Sequence, residues 1–176
     1  MSNLVETVNH LATGYKYLFV FFVSMVPLIE LRGALPFAYI FKAGDPNFNL
    51  ALSYVIIAVG NMIPVPIIFF FARKVLEWGA DKPVIGKFFT FCLEKGHKGG
   101  EKLQAKAGSG LFVALMLFVG IPLPGTGAWT GTLAASILDM KFKESITAVI
   151  CGVALAGIIV SVACAFGYAA LFGIAG

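Results

Sequence analysis

Charge is what this chain has least of. Thirteen Lys and Arg and nine Asp and Glu make up 12% of its 176 residues, against about 25% in a typical soluble domain. Hydrophobic residues reach 59%, against roughly 45–50%. This balance excludes a water-soluble enzyme, a nucleic-acid-binding domain and a disordered chain. Cysteine and histidine are also scarce. Cys92, Cys151 and Cys164 form no C-x-x-C pair, and His10 and His97 are the only histidines. Neither a metal site nor a disulfide framework is expected. The first sixteen residues lack a basic n-region and a small-residue cleavage site, so no signal peptide is expected. The net charge of +4 is confined to one segment, which membrane topology explains without a nucleic-acid partner. Membrane lipids are the expected partners, and no cofactor is expected.

Long apolar runs are what the chain has most of. They occupy residues 17–41, 48–72, 107–138 and 146–172, separated by polar pieces at 42–47, 73–106 and 139–145. Before them, Leu4, Val5, Val8, Leu11, Ala12 and Tyr15 recur at helical spacing, which predicts an amphipathic surface helix over 1–16. Four spanning helices are the simplest arrangement, but two runs resist it. Residues 107–138 would form a helix about 48 Å long, against a hydrocarbon core of about 30 Å. Their middle carries GIPLPGTG at 120–127, whose prolines and glycines cannot continue a helix. The arm before that break reaches only about 22 Å. Residues 17–41 share this design, interrupted by VPLIELRGALP at 26–36.

Each broken run is followed by a longer continuous one, so the chain reads as an internal repeat. Val26-Pro27-Leu28 corresponds to Ile121-Pro122-Leu123, and Gly33-Ala34 to Gly127-Ala128 with a one-residue gap. If each broken run is a re-entrant hairpin, each repeat crosses the membrane once and the two repeats are inverted, which points to a transporter-like site near the midplane. Lys16 and Lys42 then share one side, opposite the linker 73–106 and the loop 139–145. Four spans would instead put Lys16 on the linker's side. Both arrangements satisfy the positive-inside rule with 73–106 cytoplasmic.

Glu30 and Arg32 are the strongest chemical signal, because an ionisable residue at membrane depth is costly and therefore a functional candidate. In a helix, residues two apart point away from each other; in an unwound loop both can face one cavity. Glu30 can exchange a proton while Arg32 holds an anion. Alternatively the two pair with each other, or with free backbone carbonyls, and staple the hairpin tip. PLPGTGAWTG at 122–131 is uncharged. A half-helix beginning near Ala128 would aim its positive dipole end at this loop, as a cradle for a carboxylate or an anionic headgroup or simply as the end of a tight turn. Trp129 can stack on a substrate or fill the core.

Asn61, beside Pro64 and Pro66, satisfies the local helix break or lines a pathway. Gly152, Ala156, Gly157, Ala163 and Gly167 allow close helix packing, within the chain or in a homodimer. In the linker, Val84, Ile85, Phe88, Phe89 and Cys92 form a stripe suited to a basic interfacial helix, residues 95–100 a flexible turn, and Trp78 part of an aromatic belt.

PLIELRGALP at 27–36 and PLPGTGAWTG at 122–131 resemble, in order and spacing, the paired signatures of the small multidrug export protein family of bacteria and archaea. The resemblance spans nearly the whole chain. That family is distantly related to the DedA (VTT-domain) superfamily, whose members are similar in having two re-entrant hairpins that face each other across the membrane. Some members are implicated in undecaprenyl phosphate recycling, lipid scrambling or drug resistance driven by the proton-motive force. The resemblance implies that Glu30 and Arg32 belong to the first re-entrant loop and residues 122–131 to the second. One departure stands out. DedA-type second loops carry an arginine near the proline-glycine pair, and Pro124-Gly125-Thr126-Gly127 has none. Arg32 is then the only deep cation. The four-helix small multidrug resistance family differs in placing its glutamate on a continuous helix.

The expected protein is an all-α integral membrane protein with an inverted repeat of re-entrant hairpin plus transmembrane helix. It is one membrane domain over 1–176: surface helix 1–16, repeat one 17–72, basic cytoplasmic linker 73–106 and repeat two 107–174. It is expected to be multi-pass, in the inner membrane of a bacterium or archaeon, with 139–145 also cytoplasmic. It is not expected to be an enzyme, because the only deep ionisable groups are Glu30 and Arg32 and there is no nucleophile–base pair. The expected function is transport of a small amphiphile or lipid-linked anion, proton-coupled through Glu30. The alternative is an uncoupled scramblase or flippase for polyprenyl phosphate or phospholipid. The expected site comprises Pro27, Glu30, Arg32, Gly33 and Pro36, with Asn61, facing Pro122, Pro124, Gly125, Thr126, Gly127, Trp129 and Thr130.

Overall fold

In a computed structural model of the chain, residues 2–82, 86, 87, 90 and 110–172 are described, and every regular element among them is a helix. The sequence-predicted stripe at 84–92 falls largely outside these residues, and the turn at 95–100 lies wholly outside them. The helices are α1 (Ser2–Met25), α2 (Glu30–Gly44), α3 (Leu50–Met62), α4 (Pro64–Ala80), α5 (Gly110–Gly120), α6 (Ala128–Ile137) and α7 (Phe142–Phe172).

Helix α1 runs unbroken from the N-terminal segment into the first apolar run, so the surface helix expected as a separate element over 1–16 is the first part of a longer helix. The chain leaves α1 because Pro27 has no N–H to offer the Val23 carbonyl. Val26 N donates to that oxygen instead, at 3.1 Å, and tightens the end. The break is shorter than the sequence suggested. It covers 26–29, and Glu30, Arg32, Gly33 and Pro36 all lie within α2. Leu28 and Glu30 take positive φ values of 69° and 51°, uncommon for residues with a Cβ, and together they reverse the chain.

Helices α1 and α2 pack side by side along Phe19, which meets Phe37 at 5.3 Å and Phe41 at 5.7 Å between ring centroids. Their far ends are tied together. Lys16 Nζ donates to Asp45 Oδ2 at 2.7 Å, Thr13 Oγ1 donates to the same oxygen at 2.9 Å, and Tyr17 stacks on Phe48 at 4.6 Å. Asn49 then caps α3, its Oδ1 accepting from Leu52 N at 3.0 Å.

Helices α3 and α4 follow one another across Ile63. The second apolar run is thus divided at the residue before Pro64, and its second helix continues past the run into the polar linker as far as Ala80. Pro64 cannot donate to Gly60 O, and Ile63 N reaches that oxygen at 3.4 Å as well as Val59 O at 3.2 Å. Asn61 Oδ1 has no partner among the described residues, so its oxygen does not repair the break.

In the second half, α5 and α6 are separated by residues 121–127, and α7 packs along α5. Gly152 faces Val119 and the Met116 carbonyl, and Gly157 faces the Tyr54 ring. Two of the predicted small residues therefore serve packing within the chain. Gly167 has nothing within 4 Å of a Cβ position. The halves interlock: α2 lies against α7, and α6 lies against α4, where Ser136 Oγ donates to Phe69 O at 2.9 Å.

This fold turns large apolar side chains outward as well as inward. Val55, Val59, Ile63 and Ile67 make an exposed stripe on α3 and α4, and Ile150, Ile158, Val162 and Phe166 make another on α7. Ser24, Glu30, Ser53, Asn61, Thr132, Ser136 and Ser145 are buried. In water the outward stripes would be an aggregation surface; in lipid they match their surroundings. Leu50–Phe71 and Phe142–Gly167 are both long and apolar enough to cross a membrane.

Candidate functional site

The site is built where the α1–α2 tip meets the gap between α5 and α6. Helix α6 begins at Ala128 with Gly127 as its N-cap, and glycine has no side chain to satisfy the first N–H groups. The Glu30 carboxylate does so from the other half of the chain. Oε2 accepts from Ala128 N and Oε1 from Trp129 N, both at 2.9 Å. The partners are nearly a hundred residues apart in sequence and meet in a region where Glu30 is 5% exposed. A carboxylate here is favoured by the α6 dipole by about 0.3–1 kcal/mol, and up to about 2 in partly buried geometry. The two charge-assisted hydrogen bonds add to this. The start of α6 thus holds a carboxylate, and that carboxylate is the protein's own.

Arg32 does the converse. Helix α5 ends at Gly120 with unpaired carbonyls, and Arg32 Nη2 donates to Val119 O at 3.1 Å and to Ile121 O at 3.4 Å, while Nη1 donates to Leu123 O at 2.7 Å. A guanidinium at a helix C-terminus is the favoured sign. Among the described residues no ion pair joins Glu30 and Arg32. Set in a helix two positions apart, they diverge. One caps the start of α6, and the other caps the end of α5.

Glycine at 127 is required twice over. Its φ is 145°, and a Cβ there would overlap the Glu30 carboxylate. Gly125 has φ 80° and open space around it, so only its backbone conformation calls for glycine. Thr126 Oγ1 lies 2.9 Å from both Ile121 O and Leu123 O, and Leu123 N donates to it at 3.3 Å. These bonds hold the loop that carries the carbonyls for Arg32.

Of the remaining predicted residues, Pro27, Pro122 and Pro124 are exposed at the two tips. Gly33 and Pro36 lie inside α2, where a Cβ at Gly33 would overlap Ile29 Cγ2. Thr130 Oγ1 is 3.5 Å from Gly127 O, a local turn contact. Trp129 is half-buried, and its Nε1 has no partner among the described residues. Asn61 is 1% exposed and lines a small cavity with Glu30, Leu31, Arg32, Val119, Ala128, Val153 and Ala156. Sequence reasoning missed the Val119 carbonyl and the α7 face at Val153 and Ala156. The first was signalled by the Gly120-x-Pro122 stop and the second by the small residues on α7.

Fold and site together define a helical, multi-pass membrane protein in which two broken helical hairpins are joined through Glu30 and Arg32. Residues 30–159 match the family described as "Putative small multi-drug export protein", and the chain belongs to that family. Neither a curated protein nor a solved structure matches it.

Proposed function

We propose that the chain is an inner-membrane transporter with an inverted-repeat core, and that the anion seat at the start of α6 is its exchange site. In this reading the hairpins α1–α2 and α5–α6 are re-entrant and meet near the midplane, while α3–α4 and α7 are the two crossings. The pairing of each hairpin's second arm with the other half's long element, α2 on α7 and α6 on α4, supports an inverted repeat. The observation that carries the function is Glu30 seated on Ala128 N and Trp129 N. A helix N-terminus that holds one carboxylate suits another carboxylate or a phosphate. Proton binding removes the charge that seats Glu30, and a substrate anion takes over the two N–H groups. Deprotonation on the other side returns Glu30 and expels the substrate. The substrate is a small amphiphile or lipid-linked anion, whose headgroup Arg32 helps to neutralise.

A second reading, an uncoupled lipid scramblase or flippase, has its own support. Between α3 and α7 lies an open apolar groove of about 450 Å³, lined by Tyr54, Ala58, Val59, Met62, Ile63, Ile150, Val153 and Ala154. Val153 lines both this groove and the small cavity at Glu30, so an acyl chain in the groove would lie beside the seat.

Proteoliposomes containing a fluorescent, headgroup-accessible phosphatidate separate the two readings. Translocation driven by a pH gradient and abolished in Glu30→Gln, with folded protein retained, is the expected outcome. Gradient-dependent translocation unchanged in Glu30→Gln overturns the proton-carrier role. Translocation that ignores the gradient in both proteins selects the scramblase.

A further inference from the structure

Asn61 is the buried polar group that the exchange cycle leaves unused. It is 1% exposed, its Oδ1 has no hydrogen-bond partner among the described residues, and it lines the same cavity as Glu30 and Ala128. A buried amide oxygen without a donor is costly, so in some state of the protein a donor reaches it. The cavity has no room for a water molecule, which leaves the side chains already there. The Arg32 guanidinium is fixed by three hydrogen bonds to carbonyls at the end of α5, and its remaining N–H groups do not reach Asn61 Oδ1. The remaining cavity residues Leu31, Val119, Ala128, Val153 and Ala156 offer no side-chain donor. Glu30 as a carboxylate offers none either; as a carboxylic acid it offers one.

We propose that Asn61 is the acceptor for protonated Glu30. On binding a proton the carboxyl group leaves the N–H groups of Ala128 and Trp129, turns its O–H toward Asn61 Oδ1, and vacates the α6 terminus. The step transfers one proton to one carboxylate oxygen and breaks no covalent bond. A neutral amide suits this role, because it receives the acid without competing for the anion. The position also fits. Asn61 sits near the end of α3, which packs against α2, and Glu30 is at the strained tip with φ 51°.

Few other charges reach this region. Helices α3, α5 and α6 carry none. From α1, Lys16 is held by Asp45 at the opposite end of α2. From α7, Lys143 and Glu144 lie more than two turns from Val153. From α4, Lys74 and Glu77 lie in its second half. Arg32 is the charged neighbour that remains, and it is fixed on α5.

This inference rests on the transporter reading, and the test keeps the two apart. In the full chain bearing Trp78→Phe, Trp129 is the sole tryptophan, and its backbone N–H holds Glu30. Its fluorescence is titrated from about pH 4 to 9, spanning the carboxyl and histidine ranges. One transition is expected in this parent and none with Glu30→Gln added. Asn61→Leu should lower the midpoint by about one pH unit, a tenfold weaker proton affinity. Asn61→Asp should raise it, and Asn61→Ser, which keeps an acceptor, should leave it near the parent. If Leu at 61 prevents folding, the Asp and Ser variants decide the matter. A transition removed by Glu30→Gln but indifferent to Asn61→Asp and Asn61→Leu overturns the role of Asn61 and leaves that of Glu30 intact. A flat parent titration, or one that survives Glu30→Gln, overturns both.

Discussion

Glu30 and Arg32 were visible in the sequence as a charged pair out of place, and the structure gives each a reason to be there. What selects the residues opposite them is backbone geometry, and glycine is where that becomes measurable. Gly125 and Gly127 both have positive φ, but only Gly127 stands against the Glu30 carboxylate. Gly125→Ala should therefore cost only the conformational penalty, about 1–2 kcal/mol. Gly127→Ala adds displacement of a buried carboxylate from two N–H groups, and its cost should exceed that of Gly125→Ala by about 1–3 kcal/mol. Equilibrium unfolding in mixed micelles compares the two directly. Equal losses would mean that close approach of the carboxylate does not dictate glycine at 127. Asn61 was legible as a polar residue beside two prolines, but its oxygen is turned away from the local break, which sequence spacing alone does not specify.

Each hairpin is defined by what ends its helices. The α5–α6 hairpin is ended by Gly120, Pro122 and Gly127, and its free backbone groups are satisfied by Arg32 and Glu30. The α1–α2 hairpin turns at Pro27 and is closed at its open end by Lys16, Thr13 and Asp45. The breaks were legible because proline and glycine leave no other option. Their true extent was not, because Glu30 to Pro36 is helical only with α1, α3 and α7 packed around it. The open end gives a pH test. The hydrogen bond from Lys16, and after it that from Thr13, lower the Asp45 pKa from 3.8 to about 2. A depressed carboxylate contributes stability that is present in full above its unfolded pKa and lost as pH falls through the folded one. Asp45→Asn should therefore lower the melting temperature by a constant amount from neutral pH down to about pH 4. The difference between the two proteins should shrink below that and vanish only once pH has fallen past about 2. A difference that persists unchanged at the acid end would show that the Asp45 charge is not what closes the hairpin.

At the scale of the molecule, the membrane class was legible from composition alone, because outward stripes of Ile, Val and Phe leave lipid as the matching solvent. The meeting of the two hairpins was not legible in the same way. Contacts such as Glu30 to Ala128 join distant segments, and one sequence holds no record of which broken helix another segment will cap. Side-chain contacts put the ends of these segments at two levels. Lys16 bonds Asp45, so the interior of α1 at Lys16 and the loop after α2 lie at one level. From Leu50, just past that loop, to Phe70 the chain climbs about 30 Å, the thickness of the hydrocarbon core. There Phe69 and Phe70 meet Phe142 at 5.3 and 4.8 Å, at the start of α7. Lys16 and Lys42 thus belong to one level, and Lys74 and Lys143 to the other. With Cys92, Cys151 and Cys164 replaced by alanine, single cysteines at 16 and 42 should label with an impermeant maleimide from one side of oriented vesicles. Those at 74 and 143 should label only from the opposite, cytoplasmic side. Labelling of 16 and 74 from the same side would require α1 to cross the bilayer. The contact between Lys16 and Asp45 would then have to be broken, and with it the α1–α2 hairpin that carries Glu30 to the start of α6.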